Sequence, residues 1–176
     1  MKRVSILAIL SFSLALFFNV FIVRAYTSPG KPQGFINDFA GILSSAEKIE
    51  LETTLSDFKK ETENEIAIVT ISSLGDETVN SYAVKLFEEW GIGKKEKDNG
   101  LLILHAPNER QIWIEVGYGL EPYITDAKAS SVYRNILSPA FKQGKYADGY
   151  REAIKAIIAT LRGEAEAIPE TSNSTG

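Results

Sequence analysis

Two nearly continuous apolar runs constrain the fold more than any other feature of the sequence. The runs are EIAIVTI, residues 65–71, and LLILHA, residues 101–106. A strand with one face in water alternates apolar and polar residues, whereas a strand covered on both faces is apolar throughout. Both runs are therefore predicted to be inner strands of a sheet that carries helices on both faces.

Helical patterns surround these strands in the sequence. Apolar residues recur at helical spacing after a capping box formed by Ser44 and Glu47, which predicts a first helix that ends near Thr62. Further helices are predicted over about 79–90, 126–141 and 147–161.

A hairpin is predicted where the turn PNER separates LLILHA from QIWIEV, residues 111–116. The helix between the two apolar runs instead makes those two strands a right-handed parallel unit. The order helix, strand, helix, strand, strand, helix, helix predicts the α/β class, as a three-layer α/β/α sandwich with a small mixed central sheet.

Composition excludes several classes of protein. The 176 residues include 19 Lys plus Arg against 23 Asp plus Glu, so the basic surface that nucleic acid requires is missing and no nucleic-acid partner is expected. The chain has no cysteine, which excludes disulfides, thiolate metal sites and a cysteine nucleophile. The length between the two ends suits one domain.

The two ends of the chain differ from the middle. Lys2 and Arg3 precede an apolar stretch that ends at Val23-Arg24-Ala25, a pattern typical of an export signal. Because the stretch is also long enough to span a bilayer, residues 1–25 are predicted to be a cleaved signal peptide or a retained N-terminal membrane anchor. Both alternatives place the domain outside the cytoplasm. The remaining predicted boundaries are a linker over 26–34, the folded domain over 35–162 and a disordered tail over 163–176.

Acidic side chains are predicted to meet at one edge of the sheet. Asp98 and Asn99 precede LLILHA, and Glu115 ends the returning strand. The loop that follows contains Glu121 and Asp126. Since the hairpin returns to the edge where both parallel strands begin, we expect EKDNG to face EVGYGLE.

These carboxylates predict a cation site. Like charges at close range raise one another's pKa unless a cation or a proton neutralises them. Calcium accepts several oxygen ligands in irregular loops and tolerates such loops better than magnesium does, so Ca²⁺ is the predicted cofactor and Mg²⁺ the less favoured one.

The same residues also have purely structural explanations. Asp98-Asn99-Gly100 is a good turn sequence, and Asp126 suits the first turn of a helix. Gly117 and Gly119, on either side of Tyr118, could supply unusual backbone angles or let carbonyl groups reach an ion. Glu115 favours the functional interpretation, because a carboxylate one residue short of the end of a strand, on the face opposite Ile114 and Val116, is unusual unless it is used.

His105 is the only histidine, and it follows a buried run near the hairpin turn, away from the acidic edge. It is expected to be a packed or half-exposed residue rather than a catalytic base. With no cysteine and no histidine near the acids, nucleophilic catalysis of the Ser-His-Asp or Cys-His type has almost no support.

Four segments carry a resemblance to a known family: FINDFAGILS, WGIGKKEKDNGLLIL, RQIWIEVGYGLEPYITDAKA and PAFKQGKYADGYREAI. In this order and spacing they resemble the TPM domain family, which includes thylakoid-lumen photosystem II repair proteins and bacterial exported proteins. The resemblance implies an extracytoplasmic α/β/α sandwich. The acidic positions of the family fall on Asp38, Asp98, Glu115, Glu121 and Asp126. Asp38 fits the acidic edge less well, because the first helix should carry its own start toward the opposite edge.

The resemblance widens the functional expectations, since family members are described as calcium binders, acid phosphatases or accessories of membrane complexes. The first expectation is a calcium-binding accessory domain that supports assembly, maintenance or repair of a membrane protein complex. The alternative is a metal-assisted acid phosphatase acting outside the cytoplasm, so enzymatic activity stays an open question. A purely structural or protein-binding domain is the third. Partners are then a divalent cation and a membrane protein complex, with membrane contact through residues 1–25 if they are retained.

Overall fold

The sheet is built from four strands in the order β1-β2-β3-β4. The structure is a computed structural model that describes residues 26–93, 96–164 and 168. The strands are β1 (Ile36–Asp38), β2 (Glu65–Thr70), β3 (Gly100–Ala106) and β4 (Gln111–Val116). β1, β2 and β3 are parallel, and β4 is antiparallel to β3. The small mixed sheet is therefore confirmed, as is the hairpin.

Helices cover both faces of the sheet. They are α1 (Ser45–Thr62), α2 (Val79–Trp90), α3 (Asp126–Ser131), α4 (Ser138–Lys142) and α5 (Tyr146–Leu161), with a π-helical segment, Val132–Leu137, between α3 and α4. The capping box at the start of α1 is present. The fold class is α/β, as predicted.

Alternating side chains of β2 and β3 fill two separate cores. Ile68 and Ile103 pack in the core beneath α1 and α5, and Val69 and Leu104 pack in the core beneath α2. All seven residues of β3 are buried. The apolar runs thus form inner strands that are covered on both sides, which confirms the three-layer arrangement.

The two parallel crossovers have opposite hands. α1 joins β1 to β2 on one face of the sheet, and α2 joins β2 to β3 on the other face. Both connections step in the same direction across the sheet. The crossover through α2 was predicted to be right-handed. If it is, the crossover through α1 is left-handed. One of the two therefore departs from the strong preference for right-handed connections.

β1 is an element that the sequence pattern did not predict. It has only three residues, too few for a strand period to be visible. Its outer edge is closed by Glu52 of α1, whose carboxylate accepts hydrogen bonds from the backbone N–H groups of Phe35 at 3.1 Å and Ile36 at 2.8 Å. The carboxylate of Glu52 therefore accepts the hydrogen bonds that a neighbouring strand would otherwise accept at this position.

The π-helical segment interrupts what was predicted as one helix over about 126–141. The N–H of Ser138 donates to the carbonyl of Tyr133, five residues back. Pro139 follows directly; it has no N–H, and its ring would clash with the carbonyl of Asn135 in a regular α-helix. Widening the turn before Pro139 is a physical reason for the π geometry.

Residues 26–31 have no regular secondary structure but pack on α2. The Tyr26 ring lies 4.8 Å from that of Tyr82, and its hydroxyl donates to Glu89 at 2.7 Å. The Trp90 indole N–H donates to the carbonyl of Gly30 at 2.9 Å. Composition predicted a linker here and gave no sign of these contacts.

The predictions for residues 1–25 lie outside the described residues, as do those for most of the tail. Within the tail, Ile168 is 4% exposed and belongs to the core beneath α1 and α5. Among the residues that are described, no helix has the length and apolar character needed to cross a membrane.

His105 is buried at the carboxyl end of β3, as a packed residue. Its Nδ1 shares a 2.8 Å hydrogen bond with the Tyr150 hydroxyl, and its ring stacks on Phe141 with centroids 4.5 Å apart. Burial lowers the pKa of His105 to about 4, although the charge of Asp38 acts in the opposite direction.

This shift predicts a loss of stability in acid. The unfolded chain binds a proton at His105 near pH 6.5, whereas the folded protein does so only near pH 4. The free energy of unfolding should therefore fall by about 3 kcal/mol between pH 6.5 and 4 on account of His105. Chemical denaturation of the wild type and His105→Phe at pH values across this interval measures it. The variant should be less stable at neutral pH, because Tyr150 loses its partner, but should show a shallower acid loss. If the free energy of unfolding fell equally steeply with pH in both proteins, His105 would not be the source of the acid loss.

Candidate functional site

The segments EKDNG and EVGYGLE face each other, as the topology predicted. The N–H of Gly117 donates to the carbonyl of Gly100 at 2.8 Å, and the N–H of Gly119 donates to the carbonyl of Asp98 at 3.1 Å. These two bonds continue the ladder between β3 and β4 past the end of β4. The loop after β4 is thereby fixed against the turn before β3.

Gly117 and Gly119 are required by close approach rather than by unusual backbone angles. A Cβ on Gly117 would lie 2.2 Å from the carbonyl oxygen of Asp98, and one on Gly119 would lie 2.0 Å from that of Lys97. Neither glycine has a positive φ; in this loop pair the left-handed backbone is at Asp98, with φ of 45°. Tyr118, between the glycines, is 77% exposed.

Asn99 and Gly100 join this edge to the rest of the domain. Asn99 is buried, and its side-chain amide donates to the carbonyl of Glu63, at the end of α1, at 2.8 Å. Its carbonyl accepts from the N–H of Glu65 at 2.9 Å. A Cβ on Gly100 would lie 2.3 Å from the carbonyl oxygen of Ile92. These predicted loop-shaping residues thus have clear structural roles.

Glu115 is half-buried on the α2 side of β4, on the face opposite Ile114. Its Oε2 accepts a hydrogen bond from the indole N–H of Trp113 at 2.7 Å. Burial raises the pKa of Glu115 above its ordinary range, and the charges of Asp126, Glu121 and Glu88 raise it further. The hydrogen bond from Trp113 lowers the pKa, and its effect is second in size only to that of burial. A negative charge at Glu115 is therefore disfavoured unless something neutralises it.

The other three predicted carboxylates at this edge, Asp98, Glu121 and Asp126, are exposed. Within the described residues, no three side chains of the His, Cys, Asp and Glu types lie close enough to hold a metal ion. The structure thus brings the segments together and couples Glu115 electrostatically to Asp126 and Glu121, but it does not assemble a ligand set. The metal site stays a prediction.

Asp38 lies at the other edge of the sheet, as helix geometry suggested. Its two carboxylate oxygens accept from the N–H groups of Ile42 at 3.1 Å and Leu43 at 3.0 Å, and Oδ1 also accepts from the Thr70 hydroxyl. His105 is at this same edge, next to Thr70 in the sheet register. Asp38 is therefore not brought together with Asp98, and its contacts close a turn.

Sequence patterns missed one acidic neighbour, Glu88. It belongs to α2, and its charge contributes to the raised pKa of Glu115. Helical periodicity places Glu88 on a helix but carries no information about which strand that helix covers. Only the packing of α2 across the face of β4 could have shown this contribution.

The fold and this edge define a three-layer α/β domain in which a half-buried carboxylate on β4 lies among acidic residues, beside two turns that contain glycine. The chain belongs to the TPM domain family, whose model matches residues 36–160. The resemblance seen in the motifs is thus confirmed. No curated protein matches the chain significantly in sequence.

Solved structures agree with this assignment. An N-terminal domain of a protein from P. gingivalis is 33% identical, with a TM-score of 0.68, over 73% of this chain and 82% of that one. The N-terminal domain of the cg2496 protein from Corynebacterium glutamicum is 23% identical, with a TM-score of 0.57, over 84% and 90%. The BA42 protein from the psychrophilic bacterium Bizionia argentinensis is 22% identical, with a TM-score of 0.59, over 74% and 86%. The last two similarities concern the fold alone.

The close approach at Gly117 generates a direct test. Gly117→Ala should destabilise the domain by about 1–3 kcal/mol, because the added Cβ must push the loop away from the Asp98 carbonyl. Tyr118→Ala is the matched control, since that side chain is exposed and should change stability by less than about 0.5 kcal/mol. Urea denaturation measures both. Equal stability of the two variants would show that the turns do not depend on the contact.

Proposed function

We propose that the protein is an exported calcium-binding accessory domain that supports assembly, maintenance or repair of a membrane protein complex. The environment of Glu115 carries this proposal. A half-buried carboxylate with three acidic neighbours is unfavourable in the absence of a cation, because burial and repulsion both oppose its charge. A bound divalent cation removes both penalties and supplies a reason for the acidic residues to be there.

In this proposal Glu115 is the ligand already in place, and the exposed carboxylates complete the site. Asp98, Glu121 and Asp126 turn toward the ion when it binds, since exposed side chains can change rotamer at little cost. The backbone beneath them is already fixed by the hydrogen bonds of Gly117 and Gly119. Oxygen ligands on a firm backbone with movable side chains suit Ca²⁺, which tolerates irregular coordination, better than Mg²⁺.

Location outside the cytoplasm and contact with a membrane complex belong to the same proposal. They are supported by the pattern of residues 1–25 and by membership of the TPM domain family. The packing of residues 26–31 on α2 adds a geometric consequence. If residues 1–25 are retained as an anchor, the domain lies directly at the membrane surface, without a free linker.

Calcium binding is tested with two isosteric substitutions. Calcium in hundredfold excess over the dissociation constant should stabilise the wild type by about 2.7 kcal/mol and raise its melting temperature. Asp98→Asn and Glu115→Gln should each weaken binding at least about tenfold, because each removes a ligand charge. Without calcium, Glu115→Gln should be more stable than the wild type near neutral pH. In the wild type the folded-state pKa of Glu115 is raised, so the negative charge of Glu115 destabilises the folded protein at that pH.

Calorimetric titration and thermal melts measure these effects. Asp57→Asn is the control, since Asp57 pairs with Lys60 on the exposed surface of α1 and should leave calcium affinity unchanged. Unchanged affinity in both Asp98→Asn and Glu115→Gln would refute the site.

The metal-assisted phosphatase remains the alternative, with a prediction of its own. Any hydrolysis of p-nitrophenyl phosphate should require a divalent cation and stop with excess chelator, because a metal must activate the water where no strong nucleophile is available. Initial rates in calcium, magnesium and EDTA measure this. Turnover that persists in EDTA would exclude the metal-assisted mechanism.

A further inference from the structure

The two outermost strands of the sheet, β1 and β4, differ in how their free sides are covered. β1 is short, and Glu52 accepts from the N–H groups of Phe35 and Ile36 along its outer side. β4 has six residues, of which Ile112, Trp113, Ile114 and Val116 are apolar. A long apolar edge strand is a template for pairing with another strand unless it is blocked by proline, lysine, a bulge or a covering segment. β4 contains no proline or lysine and pairs with β3 without a bulge, and Glu115 is its one charged residue.

The unused hydrogen-bonding groups of β4 can be assigned. Residues opposite each other in an antiparallel pair alternate between bonded and non-bonded pairs. Because Gly117 bonds to Gly100 and the register pairs Glu115 with Leu102, Trp113 and Glu115 direct their backbone groups toward β3. Ile112, Ile114 and Val116 therefore direct theirs outward. Across the described part of the chain, no loop or side-chain hydrogen bond reaches these outward groups.

A groove of about 680 Å³ runs along this edge, between β4 and the helical stretch that begins at Asp126. Its lining includes Trp113, which is 39% exposed, and Tyr133, which is 37% exposed. Tyr133 and Arg134 come from the π-helical segment, a geometry that often occurs at functional sites. Arg134 forms no ion pair with any residue that the structure describes.

The two ends of the groove carry opposite charges. Asp126 lies at the end of the groove next to Glu115, since its charge raises the pKa of that residue. Arg134 follows eight residues later, about 12 Å along the helical stretch. Among the residues of the helical stretch that line the groove, Asp126 is the first and Arg134 is the last. An identical edge turned through 180° therefore brings the acidic end of one chain against the basic end of the other.

We propose that β4 pairs antiparallel with β4 of a second copy of this chain, which joins two four-stranded sheets into one of eight strands. A register centred on Ile114 places Ile112 opposite Val116 of the second copy and satisfies every outward backbone group of the strand. In this register Trp113 faces Glu115 of the second copy, and Arg134 approaches Asp126 of the second copy. The interface is isologous, so each contact occurs twice.

Measuring the oligomeric state tests the proposal. All buffers contain EDTA, so that dimer formation is measured without bound calcium. Sedimentation equilibrium from about 10 µM to about 1 mM should show the wild type as a reversible dimer. Ile114→Pro removes an outward N–H and should raise the dimer dissociation constant at least about tenfold, whereas Ile114→Val keeps that N–H and should dimerise like the wild type. Circular dichroism confirms that each variant is folded.

Charge reversal gives a second test that does not depend on the proline. Arg134→Glu alone and Asp126→Lys alone should each be monomeric, because both then place like charges at the two ends of the interface. Mixed together, the two variants should form a one-to-one heterodimer. The introduced glutamate then meets the introduced lysine at one end, and the native pair of Arg134 and Asp126 forms at the other. A monomeric wild type at about 1 mM, or a mixture that stays monomeric, would overturn the proposal and leave the edge to a strand from a different protein.

Discussion

The parallel pairing of β2 with β3, buried on both faces, is the constraint on which the rest of the structure depends. Neither strand has a side that tolerates water, so helices must cover both faces: α1 and α5 on one, α2 on the other. Parallel pairing also places the starts of both strands at a single edge. The hairpin then returns β4 to that edge. The site in front of the two glycine turns is thus a consequence of how two apolar strands are buried.

The end of the sheet that carries the carboxylates combines two features: close backbone contact between two turns, and a group of acidic side chains. Gly117 and Gly119 have no room for a side chain against the carbonyl groups of Asp98 and Lys97. Glu115 is held among acidic neighbours by a strand that cannot move without disturbing the sheet. The opposite edge differs: Asp38 has hydrogen bonds at both oxygens, and His105 is buried against Tyr150. Of these two ends of the sheet, the first combines a half-buried carboxylate with exposed acidic residues.

Most of this fold could be predicted because its signals are local and periodic: the capping box of α1, the two apolar runs and the hairpin turn. β1 could not, since three residues show no period and its edge is closed by Glu52 from a distant helix. The π turn before Pro139 and the packing of Tyr26 on Tyr82 depend on tertiary contacts in the same way. At the site, topology was enough to predict that the segment of Asp98 faces the loop of Gly117 and Gly119. The contribution of Glu88 and the placement of Asp38 required knowing which helix covers which face.

We propose that calcium binds at the end of the sheet where the two glycine turns lie, and not at the end that contains Asp38 and His105. A calcium titration of ¹⁵N-labelled protein followed by amide chemical shifts tests this most directly. Binding at the glycine turns should give saturable shifts confined to residues 96–100 and 115–127, with Asp38, Thr70 and His105 unaffected. Saturable shifts centred on Asp38, Thr70 and His105, with none around Gly117, would contradict it.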